Sequence, residues 1–552
     1  MLYSTKRNEF RELLLFECLF LLAVMVSCSP PEEPVKCSSK NSNCTITNSY
    51  GTFADRAVCR AGNVAYPTTE QELVSIVSAA TKAKRKMKVV TRFSHSIPKL
   101  VCPDGQDGLL ISTKYLNHVV KIDAAAMTFT VESGVTLRQL IQEAAKAGLA
   151  LPYAPYWWGL TIGGLLGTGA HGSSLWGKGS AVNDYVIEMR IVSPAGPEEG
   201  YAKVRVLTDR DKDLDAAKVS LGVLGVISQV TFKLQPLFKR SITYVTKDDT
   251  DLGDEAITFG KMHEFADIFW YPSQRKAVYR IDDRVSSNAS GNGLYDFTPF
   301  RSTPSLALAL VRSTGIIFTG YPVIGFHDRL QSSGTCLDSL DDSVINACAW
   351  DPRIKGEFFQ QTTFSIGLSV VKSFIEDVQT LVALEPKAFC GLELYNGILM
   401  RYVKASSAYL GKQEDAIDFD ITYYRSKDPM APRLYQDILD EIEQIGLLKY
   451  GALPHWGKNR NLAFDGVIKK YKNAGKFLKV KNMYDPSGLF SSEWTDQILG
   501  LTNEVTTLKE GCALEGLCIC SQDIHCAPSQ GYLCRPGKIF QNASVCTLVN
   551  PK

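Results

Sequence analysis

Residues 162–179 read IGGLLGTGAHGSSLWGKG, and seven of these eighteen residues are glycine. The stretch holds one histidine, His171, and no acidic residue. Because glycine loses more backbone entropy on folding than any other residue, such a cluster indicates that backbone passes close to a ligand. Backbone N–H groups in this arrangement bind the oxygens of a phosphate or pyrophosphate. A flexible surface loop is the alternative, which the large apolar residues disfavour: Ile162, Leu165, Leu166, Leu175 and Trp176.

The segment GTGAHG, residues 167–172, also matches the G-x-G-x-x-G pattern of nicotinamide-dinucleotide sites. That fingerprint requires a strand before the first glycine and a helix that begins at the last one. The preceding PYAPYWWGL contains two prolines, and the following SSLWGKGS has no helical pattern. The sequence therefore disfavours a nicotinamide-type Rossmann site and leaves a pyrophosphate cradle of another kind.

The composition is that of a globular protein with two to four domains. The 552 residues include 45% hydrophobic and 21% charged side chains. With 60 basic against 58 acidic residues the net charge is +2, which argues against a nucleic-acid partner. The basic run KAKRKMK, residues 82–88, ends a predicted helix, where the helix dipole favours cations. We interpret this run as a solvated face.

The first 28 residues have the pattern of a secretory signal peptide. Lys6, Arg7 and Arg11 precede an apolar run at 13–26, and small residues follow it. The run is shorter than the roughly 20 apolar residues of a membrane span, no other segment qualifies, and the C-terminus carries no lipid-anchor signal. We expect cleavage between Ser27 and Pro30 and a secreted, extracellular (apoplastic) protein.

The chain has fifteen cysteines, and their distribution fits an oxidising compartment. Six of them lie between residues 512 and 546 and predict three disulfides; zinc binding is disfavoured because two C-x-x-C pairs are missing. Seven others are scattered, and their odd number predicts one free thiol: Cys37, Cys44, Cys59, Cys102, Cys336, Cys348 and Cys390. Three N-x-[ST] sequons, at Asn43, Asn288 and Asn542, suit a glycoprotein.

Hydrophobic periodicity predicts the local structure around the glycine-rich stretch. Capping patterns at Thr69 and Thr136 begin two helices with apolar faces. Strands are expected at 88–91, 119–123, 128–132, 186–192, 201–207 and 226–234. Glycine becomes rarer near residue 239, which predicts a second domain. In that domain Glu393 lies on a predicted buried strand, where a carboxylate needs either a salt-bridge partner or a chemical role.

Several motifs occur in an order that resembles one family. They are RFSHS (92–96), ESGVTL (132–137), IGGLLGTGAHG (162–172), SLGVLGVI (220–227), PHWGK (454–458) and YDPSGLF (484–490). From about residue 50 to 499 the chain is similar to the aldonolactone oxidoreductases of the vanillyl-alcohol-oxidase flavoprotein family. Within that family it most resembles the plant L-gulono-1,4-lactone oxidase group.

The resemblance implies an α+β fold that binds FAD. A two-subdomain FAD-binding domain of the PCMH type would span 50–238, an α+β cap domain for the substrate 239–500, and a disulfide-rich module 511–552. His95 would carry a covalent link to the flavin, in a loop that also wraps the pyrophosphate: Arg92, Phe93, Ser94 and Ser96. The other residues implied to bind the cofactor are Ile162, Gly163, Gly164, Thr168, Gly169, His171, Gly172, Gly222, Gly225, Val226 and His455. No metal is implied.

Three residues are implied to act in catalysis. Glu393 would orient or deprotonate the substrate hydroxyl, and Lys458 would offset negative charge on the reduced flavin. Relatives carry Glu-x-Arg where this chain has Glu393-x-Tyr395, so Arg401 is the candidate to replace the missing arginine.

The implied reaction is FAD-dependent oxidation of L-gulono-1,4-lactone, or a related aldonolactone, at C2. The product would tautomerise to L-ascorbate, with electrons passing to oxygen, which forms hydrogen peroxide, or to another acceptor. Two alternatives stay open. One is a related secreted flavin enzyme that acts on another sugar, alditol or alcohol; the other is a non-catalytic extracellular binding protein. The Cys-rich module would contact cell-wall glycans in the second case.

Overall fold

The computed structural model describes residues 33–46, 58–92, 98–155, 160–290, 358–386, 388–389, 397–425, 428–433, 435–458, 460–503 and 505–549. The signal-like segment lies outside this part of the chain, as do residues 93–97, which include His95, and residues 391–396, which include Glu393. Three of the scattered cysteines lie outside it as well: Cys336, Cys348 and Cys390. Among the described helices, none has the length and apolar character needed to cross a membrane.

The first subdomain comprises β1 (Val35–Ser39), β2 (Ser42–Ile46), β3 (Cys59–Ala65), α1 (Glu70–Lys82), β4 (Met87–Val90) and β5 (Leu109–Ser112). Its sheet has the order β1-β2-β3-β5-β4, and β5 runs parallel to both of its neighbours. The predicted cap begins α1, since Thr69 Oγ1 accepts the N–H of Glu72 at 3.2 Å. The Glu72 carboxylate accepts the N–H of Thr68 at 2.8 Å, rather than the N–H of the N-cap residue Thr69 as in a standard capping box. This start fixes Leu73 and Val77 in the core of the subdomain.

The second subdomain comprises β6 (Val119–Asp123), β7 (Thr128–Glu132), α2 (Leu137–Lys146), β8 (Leu149–Ala150), α3 (Ile162–Gly167), β9 (Val186–Pro194), β10 (Ala202–Thr208), α4 (Leu214–Ala217), β11 (Val226–Lys233) and β12 (Gln235–Pro236). Five strands form an antiparallel sheet of order β10-β9-β11-β7-β6. The predicted strands are confirmed to within two residues. Helix α3 precedes the GTGAHG segment and no helix begins at Gly172, so the exclusion of a Rossmann fingerprint holds.

The cap domain comprises β13 (Lys239–Asp248), α5 (Leu252–Met262), β14 (Asp267–Tyr271), β15 (Lys276–Val285), β16 (Phe358–Gly367), α6 (Val371–Leu384), β17 (Ile398–Val403), β18 (Ala416–Arg425), α7 (Gln436–Gln444) and β19 (Leu453–Pro454). Its seven strands follow the order β13-β15-β14-β17-β18-β16-β19, and each neighbouring pair is antiparallel. Apolar residues of β18, such as Phe419, pack into the core shared with α5, α6 and α7. Because strand side chains alternate, Asp418 and Asp420 lie on the other face.

Three short helices follow the cap sheet: α8 (Asn461–Phe464), α9 (Ala474–Tyr484) and α10 (Glu493–Ile498). The segment between α9 and α10 returns to the first subdomain, where the N–H of Met87 donates to the carbonyl oxygen of Leu489 at 2.7 Å. The buried carboxylate of Asp485 accepts the N–H groups of Leu489 and Phe490 at 2.8 and 2.7 Å. The YDPSGLF motif therefore closes the core of the first subdomain.

The C-terminal module has one hairpin, β20 (Tyr532–Pro536) and β21 (Ser544–Leu548), and the three predicted disulfides: Cys512–Cys518, Cys520–Cys534 and Cys526–Cys546. Four of the scattered cysteines are also paired, as Cys37–Cys44 and Cys59–Cys102. The module packs directly on the cap domain. Glu441 of α7 is fully buried, and its carboxylate accepts three backbone N–H groups, from Lys538, Ile539 and Phe540, at 2.7 to 2.9 Å.

Candidate active site

An open cleft with about 600 Å³ of empty space lies between the two subdomains. The ends of β4, β5 and β7 line it, together with the start of the glycine-rich stretch and the loop before β11: Lys88, Val89, Thr91, Leu100, Val101, Thr113, Ser133, Gly163, Gly164, Gly167, Thr168, Ser220, Leu221, Gly222, Gly225 and Ile227. Gly225 has a φ of +125°, and a Cβ there would lie 2.4 Å from the carbonyl oxygen of Val192. Only glycine fits this position without a backbone shift.

The lining of the cleft suits a ligand rich in oxygen atoms. Thr113 Oγ1 and Ser133 Oγ are buried, and neither has a hydrogen-bond partner among the described residues. Buried hydroxyls without a partner call for a ligand or water. A Cβ on Gly163 would approach Ser133 Cβ to 3.1 Å, so at this position the backbone lies directly against the hydroxyl-bearing wall. Ribose and phosphate oxygens of a dinucleotide match these donors.

The interpretation of residues 82–88 as a solvated face is wrong for Lys88. Helix α1 ends at Lys82, whereas Lys88 is the second residue of β4, is 1% exposed and lines the cleft. Its Nζ lies 3.5 Å from Thr495 Oγ1 of α10. Burial lowers the pKa of Lys88 to about 7, against the opposing charges of three nearby carboxylates: Asp104, Asp496 and Asp485.

A second cavity, of about 350 Å³, lies between the glycine-rich stretch and the cap domain. Thr168 lines both this cavity and the cleft. Two imidazoles line the second cavity, His171 from the stretch and His455 from the PHWGK motif, with ring centroids 5.4 Å apart. Burial lowers the pKa of His455 well below its usual value, so that ring is neutral at physiological pH. The two imidazoles therefore place polar groups in a largely apolar cavity at the junction of the two domains.

His171 connects the glycine-rich stretch to the cap sheet through Asp418. Its Nε2 lies 2.6 Å from Asp418 Oδ2, and its Nδ1 lies 2.9 Å from the carbonyl oxygen of Gly172. Both ring nitrogens thus face acceptor oxygens, whereas burial lowers the pKa of the imidazole and so disfavours the doubly protonated ring. Asp418 also accepts from Ser365 and pairs with Lys412 at 3.1 Å.

Asp420 lies two residues further along β18 and forms ion pairs with Lys458 and Arg401, the two cations predicted to act in catalysis. Lys458 Nζ lies 2.7 Å and Arg401 Nη2 2.9 Å from the same atom, Asp420 Oδ2. Thr363 Oγ1 donates to Asp420 Oδ1 at 2.6 Å, and Arg401 Nη1 donates to the carbonyl oxygen of His171 at 3.2 Å. We call Asp420, Thr363, Arg401 and Lys458 the Asp420 cluster.

The charges of the Asp420 cluster oppose the effect of burial. Burial alone would raise the pKa of Asp420, but Lys458 and Arg401 outweigh it and hold that pKa below its usual value. Burial lowers the pKa of Lys458, and Asp420 is the main group that opposes this shift. The cluster therefore carries two cations and one carboxylate, a net positive charge suited to stabilising an anion in a bound ligand.

Comparison with known proteins shows what kind of chain carries this site. Residues 61–198 match the FAD binding domain family, residues 355–498 the D-arabinono-1,4-lactone oxidase family, and residues 509–548 the C-terminal domain of L-gulonolactone oxidase 2-like proteins. The chain is 65% identical to a protein named probable L-gulonolactone oxidase 6 of Arabidopsis thaliana, over 98% of this chain and 95% of that protein. The chain belongs to the L-gulonolactone oxidase family. It is also 65% identical to L-gulonolactone oxidase 5 of Arabidopsis thaliana, over 99% of each chain.

Membership of the L-gulonolactone oxidase family confirms the predicted fold class and cofactor. The chain is an FAD-binding oxidoreductase with the α+β, PCMH-type fold. A solved structure of a solvent-stable cholesterol oxidase matches with a TM-score of 0.60, covering 86% of this chain and all of that one at 15% identity. At that identity the match supports the fold alone. The cleft between the subdomains, with its unpaired hydroxyls and glycine walls, is where the residues present fit FAD.

The structure distributes the predicted cofactor residues over several environments. Those in the cleft are Gly163, Gly164, Thr168, Gly222 and Gly225, and those at the second cavity are Thr168, Gly169, His171 and His455. Ile162 and Val226 are fully buried in apolar cores, and Gly172 donates to Ser180. Arg92 is exposed at the end of β4. Of the predicted catalytic residues, Arg401 and Lys458 come together, while Glu393 lies outside the described residues.

Sequence reasoning missed the two carboxylates that organise this candidate site. Asp418 and Asp420 occur in AIDFDI, residues 416–421, where acidic and apolar residues alternate. That period of two predicts a strand with one apolar face and two carboxylates on the other. Thr363 and Ser365 repeat the pattern on β16 and pair in register with Asp420 and Asp418.

Proposed function

We propose that this protein oxidises L-gulono-1,4-lactone, or a closely related aldonolactone, at C2 and so produces L-ascorbate after tautomerisation of the 2-keto product. The Asp420 cluster carries the proposal, because it lies within residues 355–498, which match the D-arabinono-1,4-lactone oxidase family. The names of the Arabidopsis relatives support L-gulonolactone as substrate. Oxygen, reduced to hydrogen peroxide, is the proposed electron acceptor, with another acceptor as the alternative.

FAD supplies the hydride acceptor for C2 of the lactone. Glu393 is proposed to orient the C2 hydroxyl and to take its proton, as a carboxylate does in general base catalysis. Arg401 and Lys458 carry positive charge at this site and would offset negative charge on a bound cofactor that has accepted the hydride. His171 and Asp418 hold the glycine-rich stretch against the cap sheet, which fixes the distance between the cofactor and substrate sides.

We further propose that His95 carries the flavin covalently and that the protein is secreted. Thr91, which lies four residues before His95, lines the cleft. The disulfides in the first subdomain and in the C-terminal module are consistent with an oxidising compartment, as are the sequons at Asn43, Asn288 and Asn542. Contact of the C-terminal module with cell-wall glycans stays a proposal.

A substrate panel tests the proposed reaction. Protein from a secretory host is mixed anaerobically with L-gulono-1,4-lactone, other aldonolactones, alditols and simple alcohols, and flavin absorbance is followed. Bleaching by the lactone, with ascorbate as product and peroxide formed once oxygen is admitted, is the expected result. Bleaching by an alditol or alcohol and not by any lactone would instead support a related flavin enzyme with another substrate.

A further inference from the structure

We propose that Asp420 is the positioning residue of this site, which holds Arg401 and Lys458 on one oxygen and so fixes where the positive charge of the site lies. The predicted change in the rate of reduction by the lactone rests on the proposed function. The predicted change in the midpoint potential of the bound flavin needs no substrate. Asp420 lines neither cavity, and neither do Arg401 and Lys458. The second cavity is lined by His455 and Trp456, which belong to the turn that carries Lys458, and by His171, whose carbonyl oxygen accepts from Arg401.

The two oxygens of Asp420 have different partners, so the carboxylate connects its strand to a neighbouring strand on one side and to two cations on the other. Oδ1 accepts from Thr363, the residue opposite Asp420 in the β16–β18 register. Oδ2 is left for both cations, at 2.7 Å from Lys458 and 2.9 Å from Arg401. The hydrogen bond from Thr363 holds one oxygen of the carboxylate and leaves Oδ2 directed at the two cations.

Each cation reaches Asp420 from a different part of the site. Arg401 comes from β17 and uses its second terminal nitrogen, Nη1, on the carbonyl oxygen of His171. Lys458 comes from the PHWGK turn, in which the N–H of Lys458 donates to the carbonyl oxygen of His455 at 3.0 Å. Asp420, on the cap sheet, therefore binds both Lys458 of the PHWGK turn and Arg401, which contacts the glycine-rich stretch.

Exposure differs among the charged members of the Asp420 cluster. The side chain of Lys458 is 21% exposed, against 7% for Arg401 and 5% for Asp420. Lys458 is thus the outermost charge and Asp420 the buried counter-charge behind it. Gly457 brings the turn against Thr168, the residue shared by both cavities, since a Cβ on Gly457 would lie 3.1 Å from Thr168 Oγ1.

Removing the charge of Asp420 should lower the pKa of Lys458. Burial lowers the pKa of Lys458; Asp420 is the main opposing charge, Asp418 is a smaller one, and Arg401 acts with burial. Asp420→Asn therefore lowers the pKa of Lys458 further, and the lysine loses its proton at a lower pH. A residue that only held the fold would change the melting temperature and leave this titration where it was.

The experiment measures the midpoint potential of the bound flavin, and the rate of its reduction by L-gulono-1,4-lactone, against pH in wild type, Asp420→Asn and Asp420→Glu. We expect the alkaline inflection of both curves to move down by about one pH unit or more in Asp420→Asn, a tenfold or greater change in proton affinity. Asp420→Glu keeps the charge and restores the inflection, and Lys458→Met abolishes it.

Asp249→Asn is the matched control, because Asp249 is also buried and ion-paired in the cap domain, but it binds Arg275, at 2.7 Å, and Trp270 rather than Arg401 and Lys458. It should lower the melting temperature and leave the inflection unmoved. An unmoved inflection in Asp420→Asn overturns the proposal. If that variant does not fold, Thr363→Val replaces it, with a smaller shift in the same direction expected and no shift contradicting the proposal. If the lactone does not reduce the flavin of wild type but the potential inflection moves in Asp420→Asn as predicted, the proposed substrate is refuted and the role of Asp420 stands.

Discussion

His171 Nε2 and Asp418 Oδ2 lie 2.6 Å apart, and both side chains are almost completely buried. The pair joins a glycine-rich stretch in one domain to a sheet in the other. Asp418 also faces Lys412 at 3.1 Å, and Lys412 together with His171 holds the pKa of this carboxyl well below its usual value despite burial. The junction of the two domains therefore has a buried carboxylate at its centre, which contacts His171 across the junction and Lys412 within the cap domain.

Loss of the Asp418 charge should destabilise the protein strongly. Asp418→Asn leaves Lys412 buried without its counter-ion, which typically costs about 3–5 kcal/mol of unfolding free energy. Urea denaturation followed by flavin fluorescence measures this. Asp254→Asn, which breaks the exposed pair with Lys372, is the control and should change the free energy by less than about 1 kcal/mol. Equal free energies for the two variants would show that the junction does not depend on this charge.

Lys88 should make stability depend on pH above neutrality. Its pKa is lowered to about 7 in the fold, against an ordinary value near 10.5, so the unfolded chain binds more protons between these limits. The unfolding free energy contributed by this group therefore rises with pH from about 7 to about 10.5. Lys88→Met should raise the melting temperature at pH 7, and the gain should shrink toward pH 10.

Melting curves of wild type and Lys88→Met at several pH values test that prediction. Lys84→Met is the control, because Lys84 lies in the same basic run but is exposed. A constant difference between wild type and Lys88→Met across this pH range would mean that Lys88 keeps its charge when buried.

The C-terminal module should contribute to the stability of the cap domain. Glu441 accepts three backbone N–H groups of the module, and hydrogen bonds to a charged group are worth about 1.5–3 kcal/mol each. Glu441→Gln should lower the unfolding free energy of the cap by several kcal/mol. Glu385→Gln removes the partially exposed partner of Lys538 from the same module and should change it by less than about 1 kcal/mol. Similar small effects of both variants would indicate an independent module.

A covalent link at His95 predicts that the flavin stays with the protein on acid precipitation. Wild-type protein should keep its flavin in the pellet, and His95→Ala should release it to the supernatant while still binding FAD in the native state. Complete release from wild type would refute the link and leave non-covalent FAD binding untouched.

The sequence predicted the parts of this structure that local pattern controls. Strands such as β6 and β7 follow from alternation, and the start of α1 follows from the hydroxyl of Thr69. Local pattern failed at Lys88, where a charge run continues past a helix end into a buried strand. Local pattern also could not predict which residues far apart in the sequence lie close together in the fold. Asp420, Arg401 and Lys458 are brought together by the strand order of the cap sheet, which periodicity does not reveal.

Stopped-flow reduction of the bound flavin by L-gulono-1,4-lactone, in wild type, Lys458→Met and Lys470→Met, tests the central claim most directly. Lys470 is the matched control, since it is a partly buried lysine whose Nζ donates to the carbonyl oxygens of Leu447 and Ala452. We predict rapid reduction in wild type and Lys470→Met and a rate about 10²–10³ lower in Lys458→Met, with FAD retained. Wild-type rates in Lys458→Met, with only its melting temperature lowered, would contradict the account.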